Sequence, residues 1–155
     1  MTHPRHILLA DDDKDDTALF QDVLEELPLS TRLTTVHNGE QLMQFLYEKI
    51  DSLPDVLFLD LNIPRKNGFD CLAAVKRDEK LKRLKVIIFT TSNEPSVINL
   101  LYKNGAQYYI RKPNNFEQLR NVIQLALSLT DQNDISQPPR EKFVLSSKLV
   151  KDENK

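Results

Sequence analysis

Short apolar runs alternate along this chain with longer segments whose apolar residues recur at helical spacing, and this alternation limits the fold more than any other feature. Five runs have the length of a buried strand, at residues 7–10, 33–36, 56–59, 86–89 and 108–110. Five segments have helical periodicity, at residues 15–27, 41–47 and 68–77, between Ser92 and Gly105, and at 116–129. Strands that alternate with helices predict an α/β fold with one doubly wound parallel sheet, right-handed crossovers and helices on both faces.

The length of 155 residues suggests a single domain. Helical periodicity ends near Leu129, so we expect a domain over residues 1–130 and a C-terminal extension over residues 131–155, with no output domain. The first part of the extension is polar and contains prolines, whereas residues 143–145 are apolar. Three alternatives stay open for it: disorder, packing back on the domain, or an arm that reaches a partner or a second copy.

Composition and charge exclude several classes of function. Lys and Arg number 21 against 23 Asp and Glu, a formal net charge of −2, which gives no electrostatic footprint for nucleic acid or an anionic membrane. No apolar run approaches the ~18 residues of a membrane-spanning helix, and the first residues do not form a secretory signal. The single cysteine, Cys71, cannot form an internal disulfide, which fits a reducing compartment. The cytoplasm is therefore the expected location.

Polar residues follow four of the predicted strands where each strand ends. Asp11 and Asp12 follow the first strand and Asp60 the third, while Thr90 and Lys112 follow the fourth and the fifth. The carboxyl ends of parallel strands lie along one edge of a sheet, so these side chains can meet in one pocket. Crowded carboxylates repel one another, by about 1 kcal/mol for two charges some 4 Å apart in water. A hard divalent cation such as Mg²⁺ relieves that repulsion.

This set of groups suits phosphoryl transfer. Asp60 would be the nucleophile that forms an aspartyl phosphate, Lys112 would hold a phosphoryl oxygen, and Thr90 would donate a hydrogen bond.

Three further acids, Asp13, Asp15 and Asp16, come at the start of the first predicted helix. Acidic side chains cap helix N-termini and interact favourably with the helix dipole. We therefore expect these three only to cap and charge that helix.

Four pieces of sequence resemble the bacterial response-regulator receiver domain, over about residues 6–130. They are Ile7-Leu8-Leu9-Ala10-Asp11-Asp12, Leu59-Asp60-Leu61-Asn62-Ile63-Pro64 with Gly68, Ile88-Phe89-Thr90-Thr91, and Tyr109-Ile110-Arg111-Lys112-Pro113. One piece alone would be a weak signal, but all of them in order and at the family's approximate intervals are a specific one. The resemblance implies a five-stranded sheet of flavodoxin-like order 2-1-3-4-5.

The resemblance also implies roles for the residues of the pocket. Asp60 matches the residue that a partner histidine kinase phosphorylates. Asp12 matches the direct Mg²⁺ ligand, Asp11 its neighbour that acts mainly through water, and the backbone carbonyl of Asn62 the third protein ligand. Lys112 matches the phosphate-binding lysine, and the peptide bond that follows it is cis in the family.

Residues beside the pocket are given switch and lifetime roles by the same resemblance. Thr90 matches the switch hydroxyl, and Tyr109 matches the aromatic residue that turns inward on phosphorylation. Asn62 and Ser92 match variable positions that flank the attacking water and tune the lifetime of the phosphoryl group. Thr91 is a departure, because most receivers carry Ala or Gly there, and its larger side chain is expected to slow access to the phosphate.

The segment from Asn62 to Gly68, with the extra residues before Asp55, looks most like the stand-alone receivers that work with bacterial phytochromes. This likeness implies a phytochrome-like sensor histidine kinase as partner, and a downstream protein target or phosphotransfer protein. Homodimerisation through the face of the fourth helix, fifth strand and fifth helix is a further expectation. The chain would be no enzyme beyond catalysing its own phosphorylation and dephosphorylation.

Other function classes fit the residues less well. A pseudo-receiver that binds partners without phosphorylation commonly lacks an acid or the lysine, whereas Asp11, Asp12, Asp60 and Lys112 are all present. A phosphatase of the haloacid dehalogenase type needs a second acid two residues after its nucleophile, where this chain has Asn62. A flavin electron carrier would need a Ser/Thr/Gly-rich phosphate loop after the first strand, and none is present.

Overall fold

Six parallel strands form one sheet in the computed structural model, which describes residues 3–131 and 134–147. The strands are β1 (Arg5–Ala10), β2 (Thr31–Val36), β3 (Val56–Leu59), β4 (Val86–Thr90), β5 (Tyr108–Arg111) and β6 (Val144–Leu145). The helices are α1 (Lys14–Glu26), α2 (Gly39–Glu48), α3 (Gly68–Arg77), α4 (Pro95–Lys103) and α5 (Phe116–Leu129). The order β2-β1-β3-β4-β5-β6 confirms the predicted α/β fold and adds a sixth strand beside β5.

The central strands are buried on both faces, which is why they read as continuous apolar runs. One face packs against α2, α3 and α4 through residues such as Leu57. The other packs against α1 and α5, where Phe20, Phe58 and Phe89 meet edge to face with ring centroids 4.9 to 6.2 Å apart. The two apolar layers fix the sheet, and with it the edge at which the strands end.

Most helices begin at a side-chain cap directly after a strand or loop. Asp13, Asn38, Asn67 and Asn115 cap α1, α2, α3 and α5 by accepting hydrogen bonds from backbone N–H groups of the first turn. Such a cap stabilises a helix by about 1 kcal/mol. These caps hold the helix N-termini close to the carboxyl ends of the strands.

Residues 134–147, called the C-terminal strap below, pack back on the domain. Gln107 donates to the carbonyls of Ile135 and Ser136 at 3.1 and 2.7 Å, and the Tyr109 N–H donates to the Phe143 carbonyl at 3.0 Å. Phe143 is fully buried. Of the three alternatives for the extension, the described part adopts the second, and β5 is not the sheet edge that the sequence suggested.

The two ends of the domain are tied together at the C-terminus of α5. Arg5 donates to the carbonyls of Leu127 and Thr130, at 2.6 and 3.2 Å, and Lys85 donates to the Thr130 carbonyl at 2.8 Å. These contacts satisfy carbonyls that the last turn of a helix leaves without partners. Within residues 3–131 and 134–147, none of the helices is both long and apolar enough to cross a membrane.

Candidate functional site

The carboxyl ends of β1, β3, β4 and β5 lie at one edge of the sheet, as the sequence predicted. Ala10 is in register with Leu59, and Thr90 with Arg111, so the residues that follow these strands become neighbours. Asp11, Asp60 and Lys112 are those residues. Residues that are far apart in sequence therefore meet in one pocket.

Three acids of the pocket are arranged as ligands for a cation. Asp11, Asp12 and Asp60 each offer one carboxylate oxygen, and these oxygens all lie within 4.8 Å of one another. Asp11 and Asp60 are buried, whereas Asp12 is exposed. Hard oxygen ligands that are partly open to solvent suit Mg²⁺, which keeps several of its waters. The donor set therefore fits a divalent cation.

Lys112 lies among the carboxylates and is nearly buried. Its ammonium nitrogen is 2.8 Å from Asp11 Oδ2, 2.8 Å from Asp16 Oδ2 and 3.1 Å from Asp60 Oδ2. It also lies 5.2 Å from the centre of the Phe89 ring. Burial opposes the charge, but the bonds to Asp11 and Asp16 outweigh it and raise the pKa of Lys112, so the group stays an ammonium.

Asp11 is the most enclosed acid of the pocket. Burial raises the pKa of its carboxyl group, and the bonds from Lys112 and from the Asp13 N–H, at 2.9 Å, oppose this shift. The His37 ring nitrogen Nδ1 lies 3.2 Å from the Asp11 carbonyl oxygen, a contact for which we had no sequence signal. Asp11 is thus a buried carboxylate whose negative charge depends on neighbouring positive charge, here that of Lys112.

The loop from β3 to α3 is held close to Asp60 by its backbone. The Gly68 N–H donates to the Leu61 carbonyl at 2.9 Å, and a Cβ at Gly68 would lie 2.4 Å from the Asp60 carbonyl oxygen. Only glycine therefore lets α3 begin this near to Asp60. The Asn62 N–H points to Asp60 Oδ1 at 3.4 Å. A metal-ligating role for the Asn62 carbonyl stays a prediction.

A second contact, with the start of α2, holds the same loop at Pro64. The Gly39 N–H, at the start of α2, donates to the Pro64 carbonyl at 3.1 Å. A Cβ at Gly39 would lie 1.8 Å from the Lys66 carbonyl oxygen, so a side chain there would push α2 and the loop apart. Arg65 has a φ of 70°, which is uncommon for a residue other than glycine, and pairs with Glu40 at 3.4 Å.

Apart from Asn62, in the loop after β3, the residues with predicted switch and lifetime roles lie on β4, β5 and the loop after β4. The Thr90 hydroxyl is buried and has no hydrogen-bond partner among the described residues. Tyr109 is fully buried against Phe143, and its hydroxyl donates to the Ser92 carbonyl. Thr91 is exposed and lines a cleft of about 480 Å³. Thr90 is thus a buried hydroxyl that still has a hydrogen bond to give.

Two expectations from the sequence are wrong. Asp16 does more than charge the first turn of α1, because the helix turns its carboxylate towards Lys112. The peptide bond between Lys112 and Pro113 is trans rather than cis. The two isomers before proline differ by only about 0.5–1 kcal/mol, so local contacts decide between them. Here the Lys112 N–H donates to the Thr90 carbonyl at 2.8 Å. The Lys112 Nζ still reaches Asp11, Asp16 and Asp60.

Taken together, the groups of the pocket are a carboxylate at a strand end, oxygens arranged to hold a cation, an ammonium and a buried hydroxyl. Catalysis of phosphoryl transfer depends mostly on positioning and on charge neutralisation. Asp60, Lys112 and Thr90 bring groups suited to these tasks to three different strand ends.

Comparison with known proteins gives consistent results. Residues 7–124 match the family described as response regulator receiver domain. The response regulator Rcp1 of Synechocystis sp. is 32% identical over 125 residues, which cover 78% of this chain and 85% of Rcp1. The Mn²⁺-bound form of Rcp1 aligns with a TM-score of 0.74 and 31% identity, over 88% of this chain and 100% of the other. The phosphorylated cyanobacterial phytochrome response regulator RcpA aligns with a TM-score of 0.77 and 30% identity, over the same shares.

Proposed function

The chain belongs to the response regulator receiver domain family, and from this premise we propose that Asp60 is the residue that becomes phosphorylated. It is a receiver of two-component signalling, similar to Rcp1 along most of that protein. The observation that carries the proposal is the Lys112 ammonium, 3.1 Å from Asp60 Oδ2, beside two further acids that can hold a cation. Asp60 thus follows a buried strand and has a positive charge within hydrogen-bond distance.

In the proposed reaction, an Asp60 carboxylate oxygen attacks the phosphorus of a phosphohistidine on a sensor kinase. The new O–P bond forms as the P–N bond breaks, and the histidine nitrogen keeps the electron pair. Lys112 holds a phosphoryl oxygen, and Thr90 donates its free hydroxyl to another. The chain would catalyse only its own phosphorylation and its later hydrolysis.

Mg²⁺ is the cation that we propose for the site. The carboxylates of Asp11, Asp12 and Asp60, with the backbone carbonyl of Asn62, would hold it. A bound Mg²⁺ neutralises charge on the phosphoryl oxygens and on the crowded acids. Support comes from the all-oxygen donor set and from the exposure of Asp12, which leaves room for water ligands.

Signal output would start at the Thr90 hydroxyl. A bond from this hydroxyl to the phosphoryl group would pull the β4–α4 loop inwards and shift an equilibrium between two loop positions. Tyr109, bound to the Ser92 carbonyl on that loop, would follow it. Asn62, Thr91 and Ser92 lie beside the pocket, and we propose that they set how long the phosphoryl group survives.

We propose that the signal passes by association with other proteins. A phytochrome-like sensor histidine kinase is the proposed phosphoryl donor, since RcpA, a structural relative, is a phytochrome response regulator. A downstream target or phosphotransfer protein would read the output. A homodimer through α4, β5 and α5 would have to form over the C-terminal strap, because β6 covers the outer edge of β5.

We also propose a domain division and a cellular location. The division into a receiver domain over residues 1–130 and an extension over residues 131–155 stays a prediction, although the described strap joins the same sheet. A cytoplasmic location is supported by the free, buried Cys71.

The test is incubation of the full chain with Mg²⁺ and a small phosphodonor such as acetyl phosphate, followed by intact-mass measurement. We expect the addition of one phosphoryl group in the wild type and none in Asp60→Asn or in the presence of a chelator. Asp55→Asn is the matched control, because it also removes one acid but lies at the other end of β3. Labelling that persists in Asp60→Asn would reject Asp60 as the acceptor, and labelling without a divalent cation would reject the metal role.

A further inference from the structure

Asp16 is the third partner of Lys112 and comes from a different element than the other two. An ammonium group has three N–H donors, and here each has a carboxylate within 3.1 Å. Asp11 and Asp60 follow strands, whereas Asp16 lies in the first turn of α1. Its side chain is 33% exposed, against 0% for Asp11 and 10% for Asp60.

Asp16 is also the one of these three that does not belong to the cation-binding acids. Those are Asp11, Asp12 and Asp60. The position of Asp16 is fixed independently, because the Asp13 side chain accepts a hydrogen bond from the Asp16 N–H at 3.0 Å. Asp15 lies in the same turn, is exposed, and forms no side-chain ion pair within the described part of the chain. The turn therefore presents one acid to Lys112 and one to solvent.

The reaction makes conflicting demands on the other two partners. The oxygens of Asp11 and Asp60 that now bind Lys112 belong to groups that must also hold a cation or a phosphoryl group. When they do so, their bonds to the ammonium weaken. The bond to Asp16 carries no such conflict and can remain in place throughout.

We propose that Asp16 is a positioning residue that keeps the Lys112 ammonium directed at Asp60 while Asp11 and Asp60 are engaged. This inference rests on the proposed function of Asp60. A lysine side chain is flexible, and a partner that is not consumed by the reaction limits its freedom. Asp16 acts through Lys112 and touches neither the donor nor the phosphoryl group.

The first experiment compares Asp16→Asn with Asp15→Asn, which changes the net charge and the helix turn in the same way. For Asp16→Asn we expect phosphorylation by acetyl phosphate at saturating donor to slow about 5- to 10-fold, equivalent to about 1–1.4 kcal/mol in the barrier. We expect the affinity for beryllofluoride, an unreactive phosphoryl mimic, to fall by a similar factor. Asp15→Asn should leave both unchanged, and Asp16→Glu should restore part of the loss.

The second experiment asks whether the effect passes through Lys112. In a Lys112→Ala background, Asp16→Asn should cause no further loss of beryllofluoride affinity, because the group that it positions is absent. An equal effect in both backgrounds would overturn the proposal, as would an Asp16→Asn protein that behaves like Asp15→Asn or reacts faster than wild type. If the wild type is labelled on Asp60 and only these comparisons fail, the proposed function stands and the role of Asp16 falls.

Discussion

The carboxyl end of β5 and its outer edge are held by different kinds of interaction. At its carboxyl end, Lys112 enters a pocket in which three carboxylates surround one ammonium. Along its outer edge, Tyr109 and Ile110 are covered by the C-terminal strap, through two backbone pairs and the buried Phe143. Charge dominates the first contact and apolar burial the second. We therefore expect the contacts in the pocket to rearrange when a ligand binds, and the packing of the strap to remain unchanged.

The strongest test of this difference between the pocket and the strap is a substitution at Phe143. Phe143→Ala removes a fully buried ring that packs on Tyr102 and Tyr109, and should lower the free energy of unfolding by about 3–5 kcal/mol. Urea denaturation measures this, with Lys142→Ala, at an exposed neighbouring position, as the control. The fraction that remains folded should still be phosphorylated. A folded Phe143→Ala protein that cannot be labelled would show that the strap is part of the site.

The pocket should respond to a cation, and the strap should not. Mg²⁺ at about 100 times its Kd should raise the free energy of unfolding by about 2.7 kcal/mol. The gain should be the same in wild type and in Phe143→Ala, and should disappear in Asp12→Asn or with a chelator. Thermal or urea unfolding with and without Mg²⁺ provides the measurement. A gain that depends on Phe143 would contradict the separation of the two regions.

A smaller effect is expected at Thr90. Its buried hydroxyl has no partner within the described residues, so the pocket carries a polar group that the folded state does not satisfy. Thr90→Val should therefore raise the free energy of unfolding by about 1 kcal/mol and weaken beryllofluoride binding. Thr91→Val, at an exposed position, is the control and should change stability by less than about 0.5 kcal/mol. A destabilised Thr90→Val protein would mean that the hydroxyl is bound in the free state.

The smallest effect concerns Tyr109 and alkaline pH. Burial raises the pKa of Tyr109, so the folded chain keeps a proton that the unfolded chain releases near pH ~10. Stability from this group is present below that pH and is lost as the pH rises above it. Phe143→Ala exposes the ring and should lower the pKa of Tyr109 towards ~10, as followed by the ultraviolet absorbance of tyrosinate. An unchanged titration would show that the strap does not determine the burial of Tyr109.

The pocket and the strap also differ in how far the sequence predicts them. β3, α3 and α5 have the bounds that their apolar patterns predicted, and the strand ends bring Asp11, Asp60, Thr90 and Lys112 together. These features follow from rules with clear sequence signals: buried parallel strands are apolar, and ligands gather at their carboxyl ends. The pocket was predictable because the proposed phosphoryl transfer needs particular residue types.

The features that were missed have weaker signals. β6 has two residues, too few for any periodicity, and its pairing with β5 depends on the tertiary position of Phe143. β1 begins at Arg5, earlier than its apolar run, because a charged residue there pairs with Thr31 at the sheet margin. The bond from Asp16 to Lys112 joins residues 96 apart, and an acid in a first helical turn is explained equally well by the helix dipole.

The parallel direction of β6 has a practical consequence for experiments on this protein. Because β6 runs alongside β5, the strap finishes at the same sheet edge as the pocket, where Ser146 and Ser147 line one cleft with Lys112. A fluorescent reporter or affinity tag fused after Lys155 would be joined to that edge by residues 148–155, a reach of at most about 29 Å. A tag within that reach of the pocket can obstruct the approach of a phosphoryl donor. β1 begins at the opposite edge of the sheet, so a tag before Met1 is the better choice for measuring phosphotransfer.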